Sequence, residues 1–281
     1  MRPAPLEGLE PTLNQRRLSI IGPGRAGTAI AKALANKGWV ISRVAGRSIE
    51  HAQPLAEKLG AVACSAADVG IGVDLIIIST PDAAISETAL IVAERAEDGA
   101  LLIHLAGNAG IDALDGVRST RPDLVLGSLH PLQTLSDDNS FERLQGAFCA
   151  VEGPQEIEDL AREVGLTSFS VSPANRSAYH AAAVVASNHV VALMGQVERM
   201  ASIAGVPFEA FAPLARAALE AALINSPASA LTGPVSRGDT ATIEAHLRAI
   251  DPSEVAVYKA LARDALRLSG RDDAALEEML S

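Results

Sequence analysis

Leu18-Ser19-Ile20-Ile21-Gly22-Pro23-Gly24-Arg25-Ala26-Gly27 decides the fold of this chain, because it sets a glycine-spaced turn between a buried-strand pattern and an alanine-rich helical one. Strand, turn and helix in that order open a parallel β-α-β unit. Gly22 permits the tight turn, Gly24 lets the backbone approach a ligand, and Gly27 lets the helix pack closely on its strand. The first N–H groups of that helix then face outward with the positive end of its dipole, where a dinucleotide pyrophosphate binds. Pro23, Arg25 and Ala26 complete the same cradle.

Which dinucleotide is bound is read about twenty residues further on, at the end of the second strand. The run Trp39-Val40-Ile41-Ser42-Arg43-Val44-Ala45 leads into Gly46-Arg47-Ser48, with no carboxylate to accept hydrogen bonds from a ribose 2′-hydroxyl. The planar cation of Arg47 and the hydroxyl of Ser48 suit a 2′-phosphate instead, and Arg25 adds a second cation. The expected cofactor is NADPH.

Outward from this unit, short β-branched runs recur near 17–22, 39–45, 61–64, 73–79, 100–105, 123–128, 147–151 and 167–171, with helical segments between most of them. That alternation predicts an α/β fold, a Rossmann-type mostly parallel sheet over residues 17–172. After Pro173 the β pattern stops. One long helical run covers 174–204 and ends at Gly205-Val206-Pro207, and further helices follow near 207–224, 239–249, 252–268 and 272–280. Residues 173–281 are therefore expected to form an all-helical domain for substrate binding and dimerisation. Residues 1–16, with Pro3, Pro5 and Pro11 and no apolar run of a signal peptide, read as a disordered tail.

A chain of 281 residues is long enough for two domains, and 48% hydrophobic content with 3% aromatics points to an Ala, Val, Leu and Ile core. The net charge of −11 argues against nucleic acid and against anionic membranes as partners. No apolar run reaches the length of a membrane span, so a soluble protein is expected. Cys64 and Cys149 lack metal-ligand spacing and read as free thiols, which fits a reducing cytoplasm and no metal. The stretch Ala181–Ala186 is small and apolar nearly all round, so the helical domain is expected to form a homodimer.

In an open α/β sheet, ligands bind at the carboxyl ends of the strands. Ser79, Thr80 and Pro81 finish one strand and fall on the ribose and nicotinamide side of the cofactor. His104 finishes the next, either as a hydrogen-bonded structural residue or as a catalytic one. In Gly127-Ser128-Leu129-His130-Pro131-Leu132-Gln133, the proline constrains the backbone of His130, which points into the crevice to shape the pocket or to move a proton. Ser128 joins it as a substrate contact. On the long helix, Tyr179-His180 and Ser187-Asn188 interrupt an apolar run; separations of seven and eight put His180, Ser187 and Asn188 on roughly one face. They flank a small substrate or bridge neighbouring helices. In Leu231-Thr232-Gly233-Pro234-Val235-Ser236-Arg237-Gly238-Asp239, Arg237 and Thr232 offer donors for a carboxylate, and Asp239 suits the N-cap of the next helix.

The GPGRAGTAI turn, the GSLHPLQTL segment, the YHAAAVVASN helix and the LTGPVSRGD loop resemble the Rossmann-like proteins that carry a C-terminal helical domain of unassigned function. The resemblance covers about residues 17–270. It relates the chain to NADP oxidoreductases of the deazaflavin-dependent type, to pyrroline-5-carboxylate reductase and to the β-hydroxyacid dehydrogenases. Some members resemble an alternative class of ketopantoate reductase, which implies NADPH-dependent reduction of 2-dehydropantoate to pantoate in pantothenate biosynthesis. The pattern departs at one place. The classical enzymes place a helix lysine four residues before an asparagine, and Val184 stands there before Asn188. His180, one turn earlier, is the substitute, with His130 as the other proton donor, Asn188 orienting the carbonyl and Arg237 holding the carboxylate. Two rivals remain open: an imine reductase of the pyrroline-5-carboxylate type, and an NADP-binding regulatory protein without chemistry.

Overall fold

The computed structural model describes residues 15–136 and 139–281. Most of the expected tail lies outside the described residues. Gln15 and Arg16 already belong to the domain, Gln15 donating to the Gly38 carbonyl at 3.0 Å and Arg16 stacking over Trp39.

Among the described residues, eight strands form where the β-branched runs fall: β1 (Arg17–Ile21), β2 (Val40–Ala45), β3 (Val62–Cys64), β4 (Leu75–Ile78), β5 (Leu101–His104), β6 (Val125–Pro131), β7 (Phe148–Glu152) and β8 (Thr167–Phe169). They make one sheet in the order β3-β2-β1-β4-β5-β6-β7-β8. All neighbours are parallel except β6 and β7, where Ser128 faces Glu152 and His130 faces Ala150. The chain runs outward from β1 to β3 and returns to β4 on the other side of β1. The strand order therefore reverses between β1 and β4, and that switch point opens a crevice above their carboxyl ends.

The first helices are α1 (Arg25–Ala35), α2 (Ile49–Leu59), α3 (Ile85–Ala93), α4 (Asp115–Thr120), α5 (Gln155–Val164) and α6 (Arg176–Val184). Period-two alternation sorts the strand residues between the two faces. Leu75 and Ile77 of β4 pack with Ile30 and Leu34 of α1 and Leu160 of α5. Ile76 and Ile78 turn to the opposite layer, against Val92 of α3 and Val117 of α4. With both faces covered, the central strands are apolar at every position, as in Leu-Ile-Ile-Ile of β4.

The rest is helical: α7 (Val190–Ala204), α8 (Ala212–Ile224), α9 (Pro227–Ala230), α10 (Pro234–Arg237), α11 (Thr240–Ala249), α12 (Pro252–Ser269) and α13 (Ala274–Leu280). Asp239, Asp251 and Asp273 cap α11, α12 and α13 by accepting backbone N–H bonds from Thr242, Ser253 and Leu276. The buried core of this part is small, built on Val235, Ile243, Ala262, Leu266, Leu276 and Leu280. Arg199 of α7 pairs with the buried Glu254 of α12, Nη2 to Oε2 at 3.0 Å.

Two compact units result, one ending at Val184 and one running from Val185 to Ser281. The sequence pattern places the border at 172, where strands stop; the chain places it after α6, because α6 packs onto the sheet through Arg176 and Tyr179. The long helical run is also not uniform. A π turn, Val185–His189, separates α6 from α7 and interrupts the 3.6-residue repeat on which a shared face for His180, Ser187 and Asn188 depends. Ala181, Ala182, Val185 and Ala186, expected to be buried, are exposed in the single chain.

Candidate active site

The glycine turn is shaped by the end of β4. Gly22 has φ +86°, and a Cβ there would stand 2.5 Å from the Ser79 carbonyl oxygen. At Gly24 a Cβ would lie 2.9 Å from Ser79 Oγ, and at Gly27 it would lie 2.8 Å from Ser79 Cβ and 3.1 Å from Ile20 Cγ2. Only glycine lets the three approach. Ser79 Oγ in turn accepts the Gly27 N–H at 3.2 Å. Among the described residues the N–H groups of Arg25 and Ala26, in the first turn of α1, keep no protein partner, as helix N-termini do when they await an anion.

Above this turn a cavity of about 280 Å³ is lined by Arg25 and Ala26 of α1, Ser79, Thr80 and Asp82 after β4, Gly107 after β5, and His130 of β6. It lies at the switch point. Thr80 Oγ1 is buried there without a hydrogen-bond partner among the described residues, a polar atom left over by the fold. A second cavity of about 200 Å³ touches Pro23, Gly24, Arg25, Thr28 and Lys32 on the outer side of α1. Pro81 lines neither cavity and is exposed at the start of a 3₁₀ turn, Asp82–Ala84. Arg47 and Ser48 are exposed at the β2–α2 turn, where Ser48 Oγ caps α2 by accepting the His51 N–H at 3.2 Å.

The wall opposite the glycine turn is made by β6 and α6. Ser128 and His130 point to the same side of β6, two residues apart, and Arg176, Tyr179 and His180 line one side of α6 at spacings of three and four. The two rows mesh. Arg176 Nη2 donates to Ser128 Oγ at 2.6 Å and to Glu152 Oε2 at 3.0 Å, and Glu152 also accepts the Ile111 N–H at 2.8 Å. Ser128 is fully buried and held by Arg176. This corrects its expected role: it is part of the frame behind the pocket, out of reach of a substrate.

His130 Nδ1 lies 2.7 Å from Tyr179 Oη, and its ring stands edge-on to His180 at 5.7 Å between centroids. Burial, reinforced by the neighbouring His180 and Arg176, pushes His130 down to about 4, so it is neutral near pH 7. Gly107 makes room for both rings. A Cβ there would overlap His180 Nδ1 and lie 2.8 Å from His130 Nε2. His180 Nδ1 is itself buried without a partner among the described residues. His130, and not His180, lines the cavity.

His104 is fully buried, its Nε2 2.9 Å from the Gly110 carbonyl and its Nδ1 accepting the Ala106 N–H at 3.3 Å. Both nitrogens are used, which fixes the loop after β5 and leaves His104 structural. In the second unit, Ser187 donates to Asn188 Oδ1 at 3.0 Å within the π turn, and Asn188 is exposed. Thr232 and Arg237 are exposed, Arg237 on the last turn of α10. Asp239 sits below the usual carboxylate range, chiefly through its bonds from Thr242, with Arg237 adding positive charge. No group of His, Cys, Asp and Glu among the described residues could hold a metal.

Arg176, Glu152 and Gly107 were not singled out by sequence reasoning for these roles. The signal for Arg176 was present in Arg176-Ser-Ala-Tyr179-His180, a polar row at helical spacing. Nothing local marks Glu152 as the partner of Arg176, since only the antiparallel turn of β7 brings it beside Ser128.

A mostly parallel sheet with a glycine-rich turn and a polar cavity at its switch point defines a Rossmann-like domain. Residues 5–131 match a Rossmann-like domain, and residues 147–265 match a domain of unknown function, DUF2520. Among solved structures, BF3122 of Bacteroides fragilis, described as an inferred NADP oxidoreductase, is 26% identical with a TM-score of 0.78, over 90% of this chain and 98% of that one. The imine reductase of Myxococcus stipitatus in complex with NADP⁺ is 19% identical, with a TM-score of 0.63 over 94% and 100% of the two chains. The 1-pyrroline-5-carboxylate reductase of Streptococcus pyogenes is 20% identical, with a TM-score of 0.60 over 94% and 96%. The last two share the fold. No curated protein matches the sequence.

Proposed function

We propose that the protein is an NADPH-dependent oxidoreductase that reduces a small carbonyl compound, a 2-oxo acid of which ketopantoate is the first to test. The observation that carries this reading is the cavity of about 280 Å³, where the open end of α1, Thr80 and His130 meet at the switch point of the sheet. The residues fit a nicotinamide dinucleotide. Gly22, Gly24 and Gly27 leave room that any Cβ would fill, Arg25 and Ala26 present N–H groups without a partner among the described residues, and Arg47 with Ser48 faces solvent where a 2′-phosphate would be read. Ser79 and Thr80 would hold the nicotinamide side, with Thr80 Oγ1 as a buried group without a hydrogen-bond partner among the described residues.

NADPH supplies a hydride when bound; the chain's own residues orient the acceptor and manage its oxygen. His130 is neutral and lines the cavity, so it acts as a hydrogen-bond donor to the developing alkoxide, with His180 packed beside it. Purified protein should oxidise NADPH, and not NADH, when ketopantoate is added; NADPH binding without turnover on any 2-oxo acid would reject the assignment.

Asp82 favours a second reading, an imine reductase. It lines the same cavity as His130, and a carboxylate facing the cavity that holds a neutral imidazole suits an iminium substrate, which brings its own proton and positive charge. Cyclic imines in the same assay separate the two. A regulatory NADP-binding protein, the remaining rival, predicts binding and no turnover on either panel.

The second unit supports a homodimer. Val191, Leu214, Leu223 and Ile224 are 70%, 67%, 78% and 72% exposed, beside a core cluster of six buried apolar residues. A second copy covering α7 and α8 would bury them, as equilibrium sedimentation can test. Cys64 and Cys149 are free thiols, in keeping with a reducing cytoplasm, and no helix among the described residues is long and apolar enough to cross a membrane.

A further inference from the structure

The Tyr179–His130 pair leads beyond the assignment of His130 as a donor, and its chemistry rests on the reductase reading. Tyr179 stands edge-on to Phe169 at 5.7 Å between centroids, which fixes its ring while its hydroxyl reaches His130 Nδ1 at 2.7 Å. The shared proton has two possible owners. If it sat on Nδ1, the phenol would need another acceptor for its own proton, and the described residues offer none. Nε2 would then face Gly107 and the cavity as a bare lone pair. If Tyr179 donates, Nδ1 and the phenol satisfy each other, and Nε2 carries the hydrogen toward the cavity. The second arrangement leaves fewer groups unpaired.

We propose that Tyr179 is a positioning residue that holds His130 as the Nε2–H tautomer and replaces its proton as the substrate oxygen is protonated. The balance is simple. The carbonyl carbon gains the hydride that NADPH supplies, and the carbon–oxygen π pair moves to oxygen. That oxygen takes the proton from Nε2, and Nδ1 takes the proton from Tyr179. His130 thus ends neutral, and the negative charge rests on the phenolate until water reprotonates it; Tyr179 is partly exposed, so water reaches it.

The surroundings disfavour a charged imidazolium. From α6, His180 and Arg176 both oppose a positive charge on His130; burial pushes the Tyr179 phenol up, and Arg176 offsets part of that rise. Cys149 of β7, the titratable group on the other side of Tyr179, is a buried thiol pushed up to about 12 and therefore neutral. The loop carrying Gly107 brings no charge to the pair. Sequence alone does not couple residues 130 and 179; the meshing of β6 and α6 does.

The test is the ¹⁵N spectrum of the histidine-labelled protein, which needs neither substrate nor cofactor and so stands apart from the turnover assay. His130 should show a protonated Nε2 and an unprotonated, hydrogen-bonded Nδ1, and Tyr179→Phe should convert it to a mixture of tautomers. Turnover should fall about 100-fold in Tyr179→Phe while NADPH affinity stays within about two-fold. In a His130→Gln background the same change should cost less than about two-fold, because Tyr179 acts through His130. A wild-type His130 protonated on Nδ1, an unchanged tautomer in Tyr179→Phe, or additive losses in the double variant would each overturn the proposal.

Discussion

The glycine turn and the His130 wall face each other across one cavity, yet they are built in opposite ways. The turn is ten consecutive residues whose tightest approach is against backbone, Gly22 to the carbonyl of Ser79 and the amide of Thr80, while Gly24 and Gly27 meet the short Ser79 side chain. The wall is assembled from β6, α6 and the loop after β5, and its crowding is against side chains: Gly107 meets two imidazole rings. Backbone cannot move aside and rings can. The cradle is thus written locally, whereas the wall is written in the meeting of a strand period and a helix period.

The strongest way to break the contrast is to add one methyl on each side. Gly22→Ala forces a left-handed backbone on alanine and drives its Cβ into the Ser79 carbonyl, so a loss of about 4 kcal/mol is expected. Gly107→Ala keeps an ordinary backbone and displaces rings, so about 2 kcal/mol is expected, with turnover lost before cofactor binding. Urea unfolding midpoints of the two variants, with NADPH titrations alongside, check both numbers. Equal destabilisation at the two positions would mean that the wall is as rigid as the turn.

The same contrast governs what was legible beforehand. The positions of the strands, the mostly parallel sheet and the three glycines of the turn follow from runs and spacings within a few residues of each other. Asp239 as a helix cap was readable for the same reason. Ser128 was misread because its partner, Arg176, lies 48 residues away, and a serine at a strand end looks the same whether it faces a ligand or an arginine. The domain border shifted for a related cause. Strand pattern ends at 172, but the packing of α6 on the sheet depends on long-range pairs that no local pattern records. The π turn also escaped, since a helical period in apolar residues reads alike through an inserted residue.

Acid should act on the wall and sharpen the difference. His130 has an ordinary value of 6.5 and is held at about 4 when folded. Between these values the unfolded chain binds a proton that the native state refuses, so stability rises with pH through this window and is lost on acidification. The contribution is complete above 6.5 and amounts to about 3 kcal/mol. His104 is lowered too, mainly by its burial, and adds in the same direction. Urea midpoints measured between about pH 4 and 7 should therefore fall less steeply for His130→Gln than for the wild type. Parallel curves would show that His130 is not kept neutral by the fold.

The smallest effect belongs to the edge of the cradle, and it tests whether the local reading extends that far. Arg47 is exposed, and Ser48 is already engaged as the cap of α2, with Glu50 drawing on the same hydroxyl. If a 2′-phosphate is read here, Arg47 does most of that reading, through charge-assisted bonds in water-accessible surroundings. Replacing it with alanine should weaken NADPH about tenfold at low salt, or about 1.4 kcal/mol, and leave NADH unchanged. Because the pair would be screened, the loss should shrink as ionic strength rises. Titrations of both cofactors at two salt concentrations decide the point: equal loss for NADH and NADPH would place Arg47 on the adenine or the fold, and no loss for either would leave the 2′-phosphate to Arg25 at the mouth of the glycine turn.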